Sequence, residues 1–236
     1  MKRLVVLTLV LMLLTGCNQM SIPESGNMGA TGGGTVSVTV DSNGNNKPIF
    51  NSEEILANLE TVTYTGKSRY GTHYLALVVK NNSPIDCSLS VDVSMKDQDG
   101  NLIGAKDDEI GVFGAGEEAC FLFDNDEGFA SFEYEYTADE LDYYEPVCKD
   151  LICEAVTAKE KVIVTVTNNG AKTAEWVTAD VLFMKGEQIV GTNYSYIGDS
   201  DSEIKPGQKE TEEIGDWGAK GYDSVKIYLQ GRSESE

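Results

Sequence analysis

Only one histidine, His73, occurs in the 236 residues, beside two tryptophans and five prolines. Any Ser-His-Asp or Cys-His mechanism would have to use it, and no G-x-S-x-G turn is there to hold a nucleophile. Its setting, Arg69-Tyr70-Gly71-Thr72-His73-Tyr74, reads as the approach to a strand. A surface or strand-edge histidine is expected, and no catalytic residue is assigned. Positive charge is scarce as well: 18 Lys and Arg stand against 39 Asp and Glu, a formal net charge of −21. Such a surface repels phosphate backbones, which excludes nucleic acid as a partner. No long helical period runs through the chain, and its longest apolar run falls short of the roughly 20 residues a membrane-spanning helix needs.

That run lies in a leader. Lys2 and Arg3 precede the apolar residues 4–14, and the small Thr15 and Gly16 lead to Cys17. Leu14-Thr15-Gly16-Cys17 resembles the lipobox of bacterial lipoproteins. The resemblance implies a signal peptide over residues 1–16, a diacylglyceryl group on the Cys17 sulfur, and a chain held by lipid on the exported face of the cell membrane. The competing reading is an ordinary secretory signal with an incidental cysteine. At about 0.8 kcal/mol per buried CH₂, two or three acyl chains anchor stably.

Export changes how the remaining cysteines read. Cys87, Cys120, Cys148 and Cys153 are an even set in an oxidising compartment. Of three possible connectivities, Cys87–Cys120 and Cys148–Cys153 keep each bridge within one structural unit and are expected. A thiol metal site is the rival, but His73 is remote and no second paired-cysteine motif exists. No metal and no cofactor is assigned.

Residues 17–51 are rich in Gly, Ser and Asn and read as a flexible tether with a span of roughly 30 Å; residues 35–40 alternate as a short strand would. Ser52 is the expected N-cap of a short helix. Beyond it the pattern is β: short alternating runs separated by Gly, Asn and Asp turns, which is the signature of sandwiches.

The chain also repeats. Asn81-Asn82 matches Asn168-Asn169, Asp92-Val93 matches Asp180-Val181, and Gly104 matches Gly191. Gly116-Glu117 matches Gly207-Gln208, and Gly128 to Phe132 matches Gly221 to Val225. Landmarks in the same order at a drifting offset indicate a duplicated β unit. We expect an all-β chain: two tandem antiparallel sandwiches over residues 52–140 and 141–231, then a disordered tail at 232–236. The order of Asn-Asn, strand, Gly turn, Gly-Glu or Gly-Gln turn and strand resembles the FxLYD-type domain, a small immunoglobulin-like sandwich of exported bacterial and archaeal proteins. The name motif is degraded at Val93-Ser94-Met95-Lys96-Asp97 and again at Val181-Leu182-Phe183-Met184-Lys185. That family carries no established catalytic residues, so none is transferred.

Three groups of residues remain as candidates. Asp97, Asp99 and Asn101 place oxygen ligands in alternation, as calcium would require. Asp99-Gly100 is also a strong hairpin signal, and the glycine is misplaced for an EF-hand, so a turn is the expected role. Acidic runs at 107–109, 124–127 and 199–203 fall in expected loops. Among aromatics, Phe132, Tyr134 and Tyr136 share a strand face expected to be core. Tyr143 and Tyr144 are expected to pack the junction of the sandwiches, with a ligand as the alternative, and Trp176 and Trp217 are expected in core or rim packing; if exposed on one face, the two tryptophans would form a carbohydrate- or peptide-binding strip. The expected function is a lipid-anchored adaptor of the cell envelope, without enzymatic activity, for a protein or glycan partner. A structural spacer without a ligand is the alternative, and an envelope hydrolase a further one.

Overall fold

The computed structural model describes residues 38–40, 46–198, 203–219 and 221–234. The leader, Cys17 and most of the tether lie outside the described residues. Within the tether, β1 (Val38–Val40) pairs antiparallel with β2 (Asn46–Pro48). The short helix α1 (Ser52–Ala57) follows, capped one residue earlier than expected. Asn51 has the extended backbone of an N-cap, and its Oδ1 accepts the Glu54 N–H at 3.2 Å; Ser52 is therefore the first helical residue.

The rest is strand. The first half supplies β3 (Leu59–Lys67), β4 (His73–Asn81), β5 (Cys87–Lys96), β6 (Leu102–Phe113), β7 (Glu118–Asn125) and β8 (Ser131–Asp139). A connecting strand, β9 (Tyr144–Pro146), and a 3-10 turn at Cys148–Asp150 lead into the second half. There follow β10 (Leu151–Ala158), β11 (Lys161–Asn168), β12 (Glu175–Lys185), β13 (Gln188–Tyr196), β14 (Lys209–Gly215) and β15 (Ser224–Glu234). The fold is an all-β arrangement of stacked antiparallel sheets.

Period-two alternation decides which side chains meet. On β5, Cys87, Leu89, Val91, Val93 and Met95 point inward, against Leu75, Leu77 and Val79 of β4 and Ala119, Phe121 and Phe123 of β7. The sheet β6-β5-β8 thus covers β7-β4-β3. The second half repeats the plan. Val162, Val164 and Val166 of β11 face Val177, Ala179, Val181 and Phe183 of β12, so that β10-β11-β14 covers β13-β12-β15-β9.

The two middle sheets are one continuous seven-stranded sheet, β7-β4-β3-β13-β12-β15-β9, joined by a parallel contact between Gly66 and Ile189. It also folds back on itself. Ala76, Val78 and Cys120 of the first half form a third apolar cluster with Leu182, Met184, Ile189 and Tyr228 of the second. β15 packs on β7 and β6 although four strands separate it from β7 in the sheet order. The molecule is therefore four layers deep, which is why residues 75–79 and 181–184 are buried without a break: strands covered on both faces read as continuous apolar runs. Leu182, Met184 and Ile189 are fully buried here, each worth about 1.5–3 kcal/mol relative to exposure.

The Asn-Asn pairs are fold punctuation. Asn81 N–H donates to Glu117 O and Asn81 O accepts Gly116 N–H; Asn168 makes the same pair of bonds with Gln208 and Gly207. Each side-chain amide then donates to the carbonyl four residues on, Ile85 or Lys172, while its oxygen accepts the N–H two residues on, Ser83 or Gly170.

Several expectations need correction. Cys87, Cys120 and Cys153 carry free thiols, so neither expected bridge is present. Cys87 lies in the first core, whereas Cys120 alternates with Phe121 and points to the opposite face of β7. Burial pushes the thiol of Cys87 up to about 12 and that of Cys153 up to about 11. The tail expected at 232–236 begins as strand: β15 runs to Glu234 because Arg232, Ser233 and Glu234 pair with Pro146, Glu145 and Tyr144. On β8, Phe132 and Tyr136 pack against the first core as expected, while Tyr134 is exposed.

Candidate functional site

The loop at Asp97 is a hairpin turn. Asp97 Oδ1 accepts the N–H groups of Asp99 and Asn101 at 2.9 and 2.8 Å, and Oδ2 accepts Asn101 Nδ2 at 3.0 Å. The Asn101 side chain first, then these backbone donors, hold the carboxyl of Asp97 below its usual range. Both its oxygens face donors that close the turn. Among the described residues no group of three or more His, Cys, Asp or Glu is placed to share a metal ion. His73 sits on β4 edge-on to Phe129, with ring centroids 6.2 Å apart, and its ring lies beside Gly128 where a Cβ would fall. It is a half-buried strand residue.

The tryptophans depart most from expectation. Neither is core: Trp176 is 54% exposed and Trp217 is 79% exposed. Both also have left-handed backbone, at φ 52° and φ 42°. Bulky side chains are outliers in that region, at a cost on the order of 1 kcal/mol or more each. The sequence therefore accepts strain at both points while hiding neither ring.

Local geometry explains how. The β12–β15 register shifts between Glu175 and Thr178, and this irregularity turns Trp176 out of the sheet. Trp176 meets Tyr196 edge-on at 6.1 Å. Its other neighbour is Arg232, whose guanidinium lies 5.7 Å from the Trp176 ring and 3.8 Å over the ring of Tyr144. Together with Gly111 and Val112 of the first half, Thr178, Gln230 and Gly231, they line an open cleft of about 300 Å³ at the seam of the two halves. The buried Nε of Arg232 has no acceptor, and no carboxylate among the described residues lies within ion-pair distance of this guanidinium.

Trp217 caps the opposite end of the second half. Asp216 Oδ1 accepts the Gly218 N–H at 2.9 Å and Asp216 O accepts the Ala219 N–H at 2.7 Å, a tight turn with the indole at its tip. Arg69, from the β3–β4 loop of the first half, lies against Gly218 and over the ring of Tyr70, to whose hydroxyl it also donates. A larger, shallow cleft of about 590 Å³ opens between Arg69, Glu160, Trp217 and Tyr222. Of the other candidates, Tyr144 reaches the Trp176 cleft only through the Arg232 guanidinium stacked on its ring, and Tyr143, 75% exposed, lines neither cleft.

Sequence reasoning missed Arg232, Tyr196 and the character of Asp180. Arg232 continues the face of Lys226, Tyr228 and Gln230, an alternation legible in the sequence. Asp180 matches Asp92 in the repeat, yet Asp92 is exposed while Asp180 is half-buried on β12. Burial raises the carboxyl of Asp180 to about 7; the hydrogen bond from Gln230 Nε2 at 3.0 Å opposes the shift, and the charge of Asp108 across the seam adds to it.

The chain matches no known protein family and no curated protein. Among solved structures, the transglutaminase of red sea bream is similar at a TM-score of 0.25 and 8% identity, over 74% of this chain and 29% of that one. The chain spans less than a third of that structure's length, and a likeness this low carries no argument. No helix among the described residues is long and apolar enough to cross a membrane.

Proposed function

We propose that the chain is a non-enzymatic binding protein of the cell envelope, exported and held to the membrane by lipid on Cys17. Its stacked sandwiches, of the FxLYD type, present surface clefts to a protein or glycan partner. One observation carries this reading: both tryptophans are exposed on strained backbone beside a cleft. Folding alone would favour glycine at these positions, so the rings serve contact with something outside the chain.

The face-to-face packing of the two halves gives one reason to consider a spacer, since it fixes a rigid junction. The two roles part on the tryptophans. Full-length protein solubilised in detergent, used to capture partners from envelope extracts, should lose them when Trp176→Gly and Trp217→Gly are combined. An unchanged set of captured partners, or none with the wild type, would favour the spacer. A Cys17→Ala protein should leave the membrane fraction; its persistence there would count against the anchor.

A further inference from the structure

Resting on that binding role, we infer that the cleft beside Trp176 takes a sugar ring bearing a single carboxylate, of the uronic acid kind. Three features of the cleft require the three parts of that ligand.

The first is the cation. Arg232 is the cation of this cleft, in a chain with 39 acidic residues, and its buried Nε lacks an acceptor. Stacking on Tyr144 holds the guanidinium plane in place, and a planar fork so held is arranged for a carboxylate. The nearest acidic neighbour is Glu175, the register partner of Arg232 across β12 and β15, which feels its charge without forming an ion pair with it.

The second is the aromatic corner. Trp176 and Tyr196 meet at 71°, one ring standing on the edge of the other, and both are exposed. Such a corner offers an indole face to the C–H face of a pyranose, while Gln230 and Thr178 on the floor offer polar atoms to its hydroxyls. A bare carboxylate would engage Arg232 and leave the corner empty.

The third is charge at long range. A net charge of −21 repels polyanions, so one cation inside an acidic field selects ligands with one carboxylate, not chains of them. A cleft of about 300 Å³ holds a unit of that size.

The test uses full-length protein in detergent carrying Trp217→Phe, so that fluorescence reports Trp176 alone, with calorimetry in parallel. Methyl β-glucuronide is titrated against its neutral methyl ester and against N-acetylglycine, a carboxylate without a ring. The glucuronide should bind about tenfold or more tighter than either. R232Q should bring glucuronide down to the affinity of the ester. W176G should abolish binding without lowering the melting temperature, because glycine relaxes φ 52°. Should R232Q fail to fold, R232K keeps the charge without the fork and should weaken binding about fivefold. Equal affinity for ester and glucuronide, equal affinity for N-acetylglycine, unchanged R232K, or no binding at millimolar glucuronide would each overturn the inference. Envelope partners captured by a protein that ignores glucuronide would overturn the sugar class and leave the binding role intact.

Discussion

A Cβ on Gly66 would lie 1.8 Å from the carbonyl oxygen of Ile189, the register partner through which β3 meets β13. No side chain fits there. The bare backbone of Gly66 is what lets two antiparallel sheets run on as one and then fold over the cluster of Val78, Leu182 and Met184. Gly66→Ala should push β13 away and cost about 3 kcal/mol or more, read from urea unfolding. Faster amide exchange at Leu182 and Ile189 should accompany it. Wild-type stability would mean that the seam is held elsewhere.

Glu117 makes a second tie between the halves. Its Oε2 accepts the Gly114 N–H at 2.8 Å and its Oε1 accepts the Lys149 N–H at 3.1 Å, with the residue only 3% exposed. The matching Gln208 is exposed, and its side chain ties only its own half, accepting the Lys205 N–H at 3.2 Å and donating to Glu210. Glu117→Gln turns an amide NH₂ towards one of two backbone donors and should cost about 1–3 kcal/mol. Gln208→Ala should cost less than about 1 kcal/mol. Denaturant midpoints for the two variants settle the contrast, and equal losses would count against the tie.

Asn81→Ala and Asn168→Ala each remove an acceptor and a donor from buried turns, and each should cost about 2 kcal/mol. The two residues belong to separate cores, so the double variant should lose the sum within about 0.5 kcal/mol. A clear departure in chemical denaturation would show that the turns communicate through the seam.

These turns were legible in the sequence because each Asn side chain bonds to groups two and four residues along the chain, so that part of the pattern repeats wherever the fold does. The strands were legible through period two. The stacking of the halves left only a partial trace: the unbroken runs Leu75-Ala76-Leu77-Val78-Val79 and Val181-Leu182-Phe183-Met184 announce burial on two faces, but not what covers the second face. Parity also argued against the Cys87–Cys120 bridge, since Cys120 alternates with the core residues Ala119 and Phe121. The exposure of Trp176 was beyond reach, because it depends on a register shift between two strands, β12 and β15, that are far apart in the sequence. The cation of the cleft was hidden for another reason: Arg232 lay in the segment expected to be tail, and only pairing with β9 makes it strand.

Asp180 yields a pH dependence whose sign is unusual for a carboxylate. Its folded-state value, raised to about 7 chiefly by burial, stands above the unfolded value near 3.8. Between these limits the folded state binds the proton more tightly than the unfolded chain does. Stability should therefore fall as pH rises from about 4 to about 7, and level off above that. With the full shift as an upper bound and some solvent access at the edge of Asp180, the loss is about 2–4 kcal/mol. Asp180→Asn keeps an acceptor for Gln230 Nε2 and removes the charge. It should be more stable than the wild type at pH 8 by that amount and nearly equal at pH 4. Thermal melts of both proteins from pH 4 to pH 8 provide the comparison. Parallel curves would show that the carboxylate stays ionised, with water reaching it through the Trp176 cleft, whose floor includes the Gln230 that Asp180 holds.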